Sequence, residues 1–482
     1  MSLAQLRADL AALASSLSPG SVLTPDGGAD DLGRYERPWR GAAGRAPFVL
    51  RPASVEEVRL ALQWAARLRQ RLVVQGANTG LVGASVPGSS GTTGVLSTQR
   101  LVSPLTVHAD DLAVTAGAGA LLSSVAAACA TYGLELPVDL AADASVGGIV
   151  ATNAGGCRVL RHGDVRRRLL GVQVVLADES ATVLGDLRPL RKKNDALRVT
   201  DLAVGSAGLF GVVTAATLAL VPEPGGRATA FIRPGSDLAE VCAGLERVLG
   251  SRLGALELVS AQALRITVDR LDEVTHPFPG AADDDVLLVE AELEVGVARD
   301  AVDAENVLVE ALDRLGPLVA DAVLLPVERA WALRHGISEA LARAGTVVGL
   351  DVSLPRAAVA PVRAAVAAAV PAAVPGAVLA DFGHLGDGGL HLNIVLPDDV
   401  VLPGGVDPAV VLALRHEIYA VVAARGGSFS AEHGLGPANV AWWLGHEPAE
   451  SLVALARVKA AVDPYGLLGT EALRDALTGR GR

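Results

Sequence analysis

Short β-type runs alternate with helical patterns from about Phe48 onward, and several of these runs end in glycine-rich turns. That alternation restricts the chain to architectures in which sheets are covered by helices, and it predicts an α+β fold. Residues 48–52 read as a strand leading into a helix capped by Ser54, with Glu56 and Glu57 in its first turn. Arg71–Gln75 reads as a second strand, which ends in the loop Gly76-Ala-Asn-Thr-Gly-Leu-Val-Gly83. Strands near 112–116 and 169–176 flank a helix over 121–132 and a second glycine-rich segment, 145–156. A third glycine turn, 204–211, precedes a strand over 212–220. With 53 glycines in 482 residues, backbone is expected to approach something closely in several places.

Pro222-Glu-Pro-Gly-Gly marks a junction by its turn chemistry. Beyond it, strands at 228–232, 286–294, 346–353 and 389–395 alternate with helices at 238–249, 300–315, 328–344 and 359–370. Helices over 408–424 and 450–462 end the chain, with a Glu-His loop between them. The expected division is therefore 1–222, 223–405 and a C-terminal helical segment, 406–482.

A formal net charge of −12, with no dense Lys/Arg block, argues against nucleic acid and weakly against an anionic membrane surface. Cys129, Cys157 and Cys242 have no paired spacing, which fits a reduced cytoplasm. Residues 1–16 carry Arg7 and Asp9 on an amphipathic pattern and do not read as a signal peptide. The most apolar stretch, 364–380, is interrupted by Pro371 and Pro375, so no transmembrane segment is expected and the location is read as cytoplasmic.

The strongest local signal is His384-Leu-Gly-Asp-Gly-Gly-Leu-His391-Leu-Asn393. Its three glycines form a tight turn that can return His384 to the start of the next strand. On that strand His391 and Asn393 are two apart and share a face. The later loop Ser430-Ala-Glu432-His433-Gly434-Leu-Gly436 adds a carboxylate beside another imidazole. Two histidines and a glutamate form a ligand set that leaves metal positions open for substrate. The His-x6-His spacing is not specific, and the same residues also read as solvent-facing histidines on a hairpin. The Gly76–Gly83 loop can cradle a pyrophosphate with consecutive N–H groups, with 145–156 as a second wall; ordinary turns are the alternative. Arg334 and Ser338 are four apart and are expected to share a helical face, where a guanidinium could grip a carboxylate or simply be salt-bridged.

Six segments occur in order: Gln75-Gly-Ala-Asn-Thr-Gly-Leu-Val-Gly, Val146-Gly-Gly-Ile-Val-Ala-Thr-Asn-Ala-Gly-Gly, Gly205-Ser-Ala-Gly-Leu-Phe-Gly, Asp351-Val-Ser-Leu-Pro, Gly383-His-Leu-Gly-Asp-Gly-Gly-Leu-His-Leu-Asn and Ser430-Ala-Glu-His-Gly-Leu-Gly. Together they resemble the FAD-linked oxidases and dehydrogenases of the vanillyl-alcohol-oxidase fold, in the branch of D-lactate and D-2-hydroxyglutarate dehydrogenases. The resemblance implies a two-part FAD-binding domain, an α+β substrate-binding cap domain with a metal-ligand hairpin, and a C-terminal helical segment. It assigns cofactor binding to Gly76, Ala77, Asn78, Thr79, Gly80, Gly83, Gly147, Gly148, Thr152, Asn153 and Gly156. Asn78 stands where some relatives have a flavin-linked histidine, which implies non-covalent FAD. His384, His391 and Glu432 become ligands of a divalent metal, for which zinc is best suited and manganese or iron are alternatives. His433 becomes the general base, and Arg334, Ser338 and Asn393 become substrate contacts.

The implied reaction oxidises a small D-2-hydroxy acid, of D-2-hydroxyglutarate or D-lactate type, to the 2-oxo acid with hydride passing to flavin N5. The implied partners are that acid and an electron acceptor such as an electron-transfer flavoprotein, a quinone or a cytochrome; a homodimer is left open. Gly349 replaces a usual lysine and tilts the choice toward lactate-like acids, while Gly389 and Ala207 replace a usual asparagine and glutamate. Two other readings stand beside this one. They are a non-redox transferase like the ether-lipid synthases and a flavin-binding subunit of a larger oxidase.

Overall fold

The computed structural model describes residues 2–25, 30–195, 198–296, 301–397 and 406–478. The chain divides into two units: 1–155 with 164–221 and 433–482, and 156–163 with 222–432. The junction expected at 222 is where the second unit takes up the chain. The boundary expected at 405 lies outside the described residues. Within the expected C-terminal helical segment, 406–482, the part from His433 onward belongs to the first unit.

The first unit holds two main sheets, as the two-part expectation requires. In the smaller, Val49–Leu50, Thr93–Ser97 and Arg71–Gln75 run parallel, and Val22–Leu23 adds an antiparallel edge. The helix Val55–Leu68 covers it; the Ser54 hydroxyl accepts from Glu57 N–H, and the Glu57 carboxylate reaches back to Ala53 N–H. Trp64 on this helix meets Phe48 edge to face at 5.4 Å. The larger sheet is antiparallel, in the order Leu105–His108, Ala113–Gly117, Val212–Ala219, Leu169–Val175, Val183–Asp186. The chain's end returns to the smaller sheet, where Leu72 N–H donates to Leu467 O at 2.8 Å and Gly469 N–H donates to Leu72 O at 3.0 Å. Buried Lys459 fixes that return by donating to Asp463 and to the carbonyls of Leu209 and Leu468.

The second unit is an eight-stranded antiparallel sheet. Leu253–Val259 lies near its middle, and Phe382–Gly383, Gly389–Leu396 and Thr346–Ser353 follow toward one edge. Helices Ala261–Arg270 and Val327–Ala344 pack over one face, whose apolar members include Ala255, Val259, Val286 and Leu288. Period-two alternation places Glu257, Glu290 and Glu292 on that same face, beneath the helices.

Arg356–Ala373 is, among the described residues, the one helix long and apolar enough to cross a membrane. It runs through Pro361 and Pro371, farther at both ends than the expected 359–370. Both prolines lie on its exposed side, while Val359, Val362, Val366 and Val370 form a buried stripe at helical spacing. Arg363 on this helix is ion-paired with Asp381 and Asp285, which ties the helix into the unit.

Candidate active site

In the second unit the glycine turn works as its sequence suggests. The N–H groups of Asp387, Gly388 and Gly389 all donate to the carbonyl of His384. Phe382 is thereby registered opposite His391, and the two imidazoles meet edge to face with centroids 5.2 Å apart. His384 Nε2 and His391 Nε2 each lie 3.6 Å from the same oxygen, Glu432 Oε1. Such separations are long for hydrogen bonds. They match the edge of a coordination polyhedron, because two donors about 2.0–2.1 Å from one tetrahedral ion are roughly 3.4 Å apart. Glu432 Oε1 thus lies at ligand spacing from each imidazole in turn, and His391 and Glu432 are also within ligand reach of Asp351.

The far side of each imidazole faces a carboxylate, an arrangement typical of metal-ligating histidines. His384 Nδ1 donates to Glu257 Oε1 at 2.8 Å, which fixes the tautomer that offers Nε2. Glu257 is fully engaged, since its other oxygen accepts from Arg334 Nε at 2.8 Å and Nη2 at 2.6 Å. Burial pushes the Glu257 carboxyl up, but the charges of His384 and Arg334 outweigh that and hold it at about 2. Burial also disfavours a charged His384, yet the Glu257 carboxylate holds its pKa well above the ordinary value. A bound cation at Nε2 would take the place of that ring's second proton. Glu432 is held by its second oxygen, which accepts Gly156 N–H at 2.8 Å.

The polar belt continues along the sheet. Arg158 pairs with Glu290, whose other oxygen accepts from Trp331 Nε1 at 2.7 Å. Arg161, His162 and Arg227 surround Glu292. Burial pushes the Glu292 carboxyl up as well, and these neighbours bring it down to about 2. Glu257 and Glu292 thus contribute stability above the ordinary carboxylate value of 4.5, and that contribution is lost as pH falls toward about 2. Acid unfolding of the second unit is accordingly expected between those limits, with Glu292→Gln shallower in slope than wild type. Circular dichroism against pH checks this; equal slopes would contradict it.

The first unit contains a pocket walled largely by backbone. Gly76, Gly147, Gly148, Gly208 and Gly211 line it, with small side chains of Ala84, Ser85, Ala151 and Ala207 between them. Val74, Thr98, Thr152 and Val213 complete it, so no charged side chain faces it among the described residues. Such a cleft suits a flat, largely apolar ring system. Its glycines are required by close packing. A Cβ on Gly147 would lie 2.7 Å from Ala118 Cβ, and one on Gly76 would lie 2.3 Å from Ser145 Oγ. Ser145 Oγ itself accepts from Ala77 N–H at 3.2 Å and Gly148 N–H at 3.3 Å, joining both glycine segments. Gly76→Ala is expected to cost about 1–3 kcal/mol by overpacking. Thermal melting of the variant by circular dichroism checks this; an unchanged melting temperature would contradict the close packing.

Residues 46–185 match the family model described as "FAD binding domain", and residues 234–471 match "FAD linked oxidases, C-terminal domain". The chain is 34% identical over 473 residues to a mitochondrial D-2-hydroxyglutarate dehydrogenase of Bos taurus, covering 95% of this chain and 82% of that protein. It is 32% identical to a D-2-hydroxyglutarate dehydrogenase of Xanthomonas citri, covering 91% of each. The chain belongs to the FAD-linked oxidase family. A solved structure of p-cresol methylhydroxylase shares its fold with a TM-score of 0.76 at 14% identity, covering 97% of this chain and 96% of that one. Alkyldihydroxyacetonephosphate synthase does so with a TM-score of 0.70 at 14% identity, covering 95% and 84%.

In this FAD-linked oxidase the expected residues fall into two groups. Gly76, Gly147, Gly148 and Thr152 line the pocket, and Ala77, Asn78, Thr79, Gly80 and Gly83 continue the loop that begins at Gly76. Asn78 holds that loop in a left-handed conformation (φ 60°), donating to Arg37 O and accepting from Ser85 Oγ. Asn153 is not in the pocket lining; it ends the helix Val146–Thr152 and bonds Asp164 and Arg166 N–H. Gly156 is not in the pocket lining either; it lies in the second unit, where its N–H holds Glu432.

Arg334 and Ser338 do not share an environment, since Arg334 is buried against Glu257 while Ser338 is exposed. Asn393 is buried on the strand that carries His391, opposite Gly349. His433 directly follows Glu432, and the two units meet at the bond between them. Sequence reasoning assigned no role to Glu257 or Gly208. For Gly208 the third glycine turn was an available signal.

Proposed function

We propose that this FAD-linked oxidase oxidises a small D-2-hydroxy acid to the 2-oxo acid with the help of a divalent metal. The observation that carries the reading is the convergence of His384 Nε2 and His391 Nε2 on one oxygen of Glu432, each imidazole backed by a carboxylate. The names of the relatives above support D-2-hydroxyglutarate as one substrate class. A putative mitochondrial D-lactate dehydrogenase of Schizosaccharomyces pombe, 30% identical over 91% of this chain and 84% of that protein, supports the other.

Alcohol oxidation removes a proton from oxygen and a hydride from carbon. FAD, when bound, would supply the hydride acceptor, and a divalent metal would supply Lewis acidity toward the 2-hydroxyl. His384, His391 and Glu432 would hold a divalent metal, with zinc best matched to two imidazoles and a carboxylate. His433 accepts the hydroxyl proton as general base; the chain itself keeps it one residue from the ligand Glu432. Asn393 orients the acid from the strand that carries His391. Arg334 is assigned a different part from a free substrate clamp, because its guanidinium is committed to Glu257 and neutralises that carboxylate. With Gly349 opposite Asn393, the second unit's strand offers no cation there for a second carboxylate, which favours a lactate-like acid. FAD is held non-covalently, and electrons leave to an electron-transfer flavoprotein, a quinone or a cytochrome. The three buried free thiols suit a reducing cytoplasm.

The test is anaerobic addition of D-lactate, D-2-hydroxyglutarate and D-malate to the purified yellow protein. Bleaching is expected, fastest with D-lactate. Colour that persists with every acid would reject the dehydrogenase reading.

A further inference from the structure

We propose that Asp351 is a positioning residue of the metal centre, a single carboxylate that sets two of the three ligands at once. The proposal rests on the metal-binding reading above. Asp351 stands opposite His391 in the register of the strands Thr346–Ser353 and Gly389–Leu396, so both side chains leave the same face of the sheet. Its Oδ1 faces His391 Nδ1 at 3.6 Å, while the ring's other nitrogen is the one directed at Glu432. Its Oδ2 accepts the backbone N–H groups of Ala431 at 3.0 Å and of Glu432 at 2.8 Å.

The base of the same loop is registered to the same strand, because Ser353 and Ser428 exchange backbone hydrogen bonds of 3.0 and 2.8 Å. The strand thus fixes the loop twice, through backbone at its root and through Asp351 at the ligand. Asp351 lies within ligand reach of His391 and Glu432, but its Oδ2 takes up two backbone N–H groups and its Oδ1 faces His391 Nδ1, not the nitrogen directed at Glu432.

The geometry requires a carboxylate. Asp351 Oδ2 receives two backbone donors, and Oδ1 faces the Nδ1 side of the imidazole whose Nε2 is directed at Glu432. Asparagine has the same shape but carries one NH2 group, which must then face a donor. At a site only 5% exposed, water cannot readily relieve that conflict. Glutamate is larger but keeps an acceptor at both ends. A packing role would rank the two substitutions the other way, tolerating Asn and rejecting Glu.

The experiment measures Zn2+ affinity of the full-length flavoprotein by competition with a chromogenic chelator, beside flavin content and circular dichroism. Asp351→Asn is expected to weaken Zn2+ binding roughly 10- to 100-fold with flavin content unchanged, and Asp351→Glu to weaken it less. Wild-type affinity in Asp351→Asn, or a greater loss in Asp351→Glu than in Asp351→Asn, overturns the assignment. If Asp351→Asn does not accumulate as folded protein, Asp351→Glu decides: affinity within about tenfold of wild type supports the role, and complete loss rejects it. A wild-type protein that binds no Zn2+ would instead defeat the metal-binding reading, so the two failures are separable.

Discussion

His433→Ala is expected to lower kcat by roughly 10²–10⁴ while leaving flavin and metal content near wild type. A 2-hydroxyl gives up its proton poorly at neutral pH, even when polarised, and an imidazole is the side chain whose ordinary pKa suits the task. No other histidine lies in the Ser430–Gly436 loop, and its neighbour Glu432 is engaged on both oxygens within the second unit. The loss should therefore appear in kcat, with only a modest change in KM. Rapid anaerobic mixing that follows flavin bleaching isolates this step from reoxidation by the acceptor. Bleaching at the wild-type rate would remove His433 from the mechanism.

Stripping the metal is expected to reduce kcat/KM by roughly 10³ or more, because Lewis-acid stabilisation is worth several kcal/mol and each 1.36 kcal/mol is a factor of ten. A chelator-treated sample should keep its yellow colour, since the glycine-walled pocket belongs to the other unit and shares no residue with the ligand set. Adding zinc, manganese or iron back one at a time then identifies the ion by recovered turnover. His391→Ala should behave as the stripped enzyme and should not recover on addition of zinc. Full activity of the chelated enzyme, with metal absence confirmed by elemental analysis, would contradict the proposal.

Much of the fold was legible because its elements repeat simple periods. Arg71–Gln75, Thr346–Ser353 and Leu238–Leu249 occupy the expected residues, since apolar spacing and turn glycines agree there. The His384–His391 turn was legible for the same reason, its glycines allowing a return that larger residues would block. The strand Leu253–Val259 was missed. Its sequence Leu-Gly-Ala-Leu-Glu-Leu-Val is rich in helix formers, and a glutamate among apolar residues suggests a solvent face. Burial at both faces of a central strand overrides that signal, and Glu257 is buried because His384 and Arg334 satisfy it. The partner of Arg334, Glu257, lies on that same strand, so local pattern left a carboxylate grip and a salt bridge equally open. Gly156 looked like part of a phosphate cradle because it closes a glycine run, and only tertiary structure reveals that the chain has changed units there.

The short excursion 156–163 and the late crossing at His433 have a consequence for how the molecule is born. Gly156 and Glu432 are 276 positions apart, and Arg158 and Glu290 are 132 apart. A nascent chain emerging from its N-terminus therefore cannot close the first unit and then begin the second. Strand Arg71–Gln75 waits for Leu467, and the histidine pair His384 and His391 waits for the loop at 432. Pairings of such long range make folding slow and leave unpaired edges open during synthesis. A nonsense change near the C-terminus should be as damaging to the glycine-walled pocket as one made within its own glycine loops.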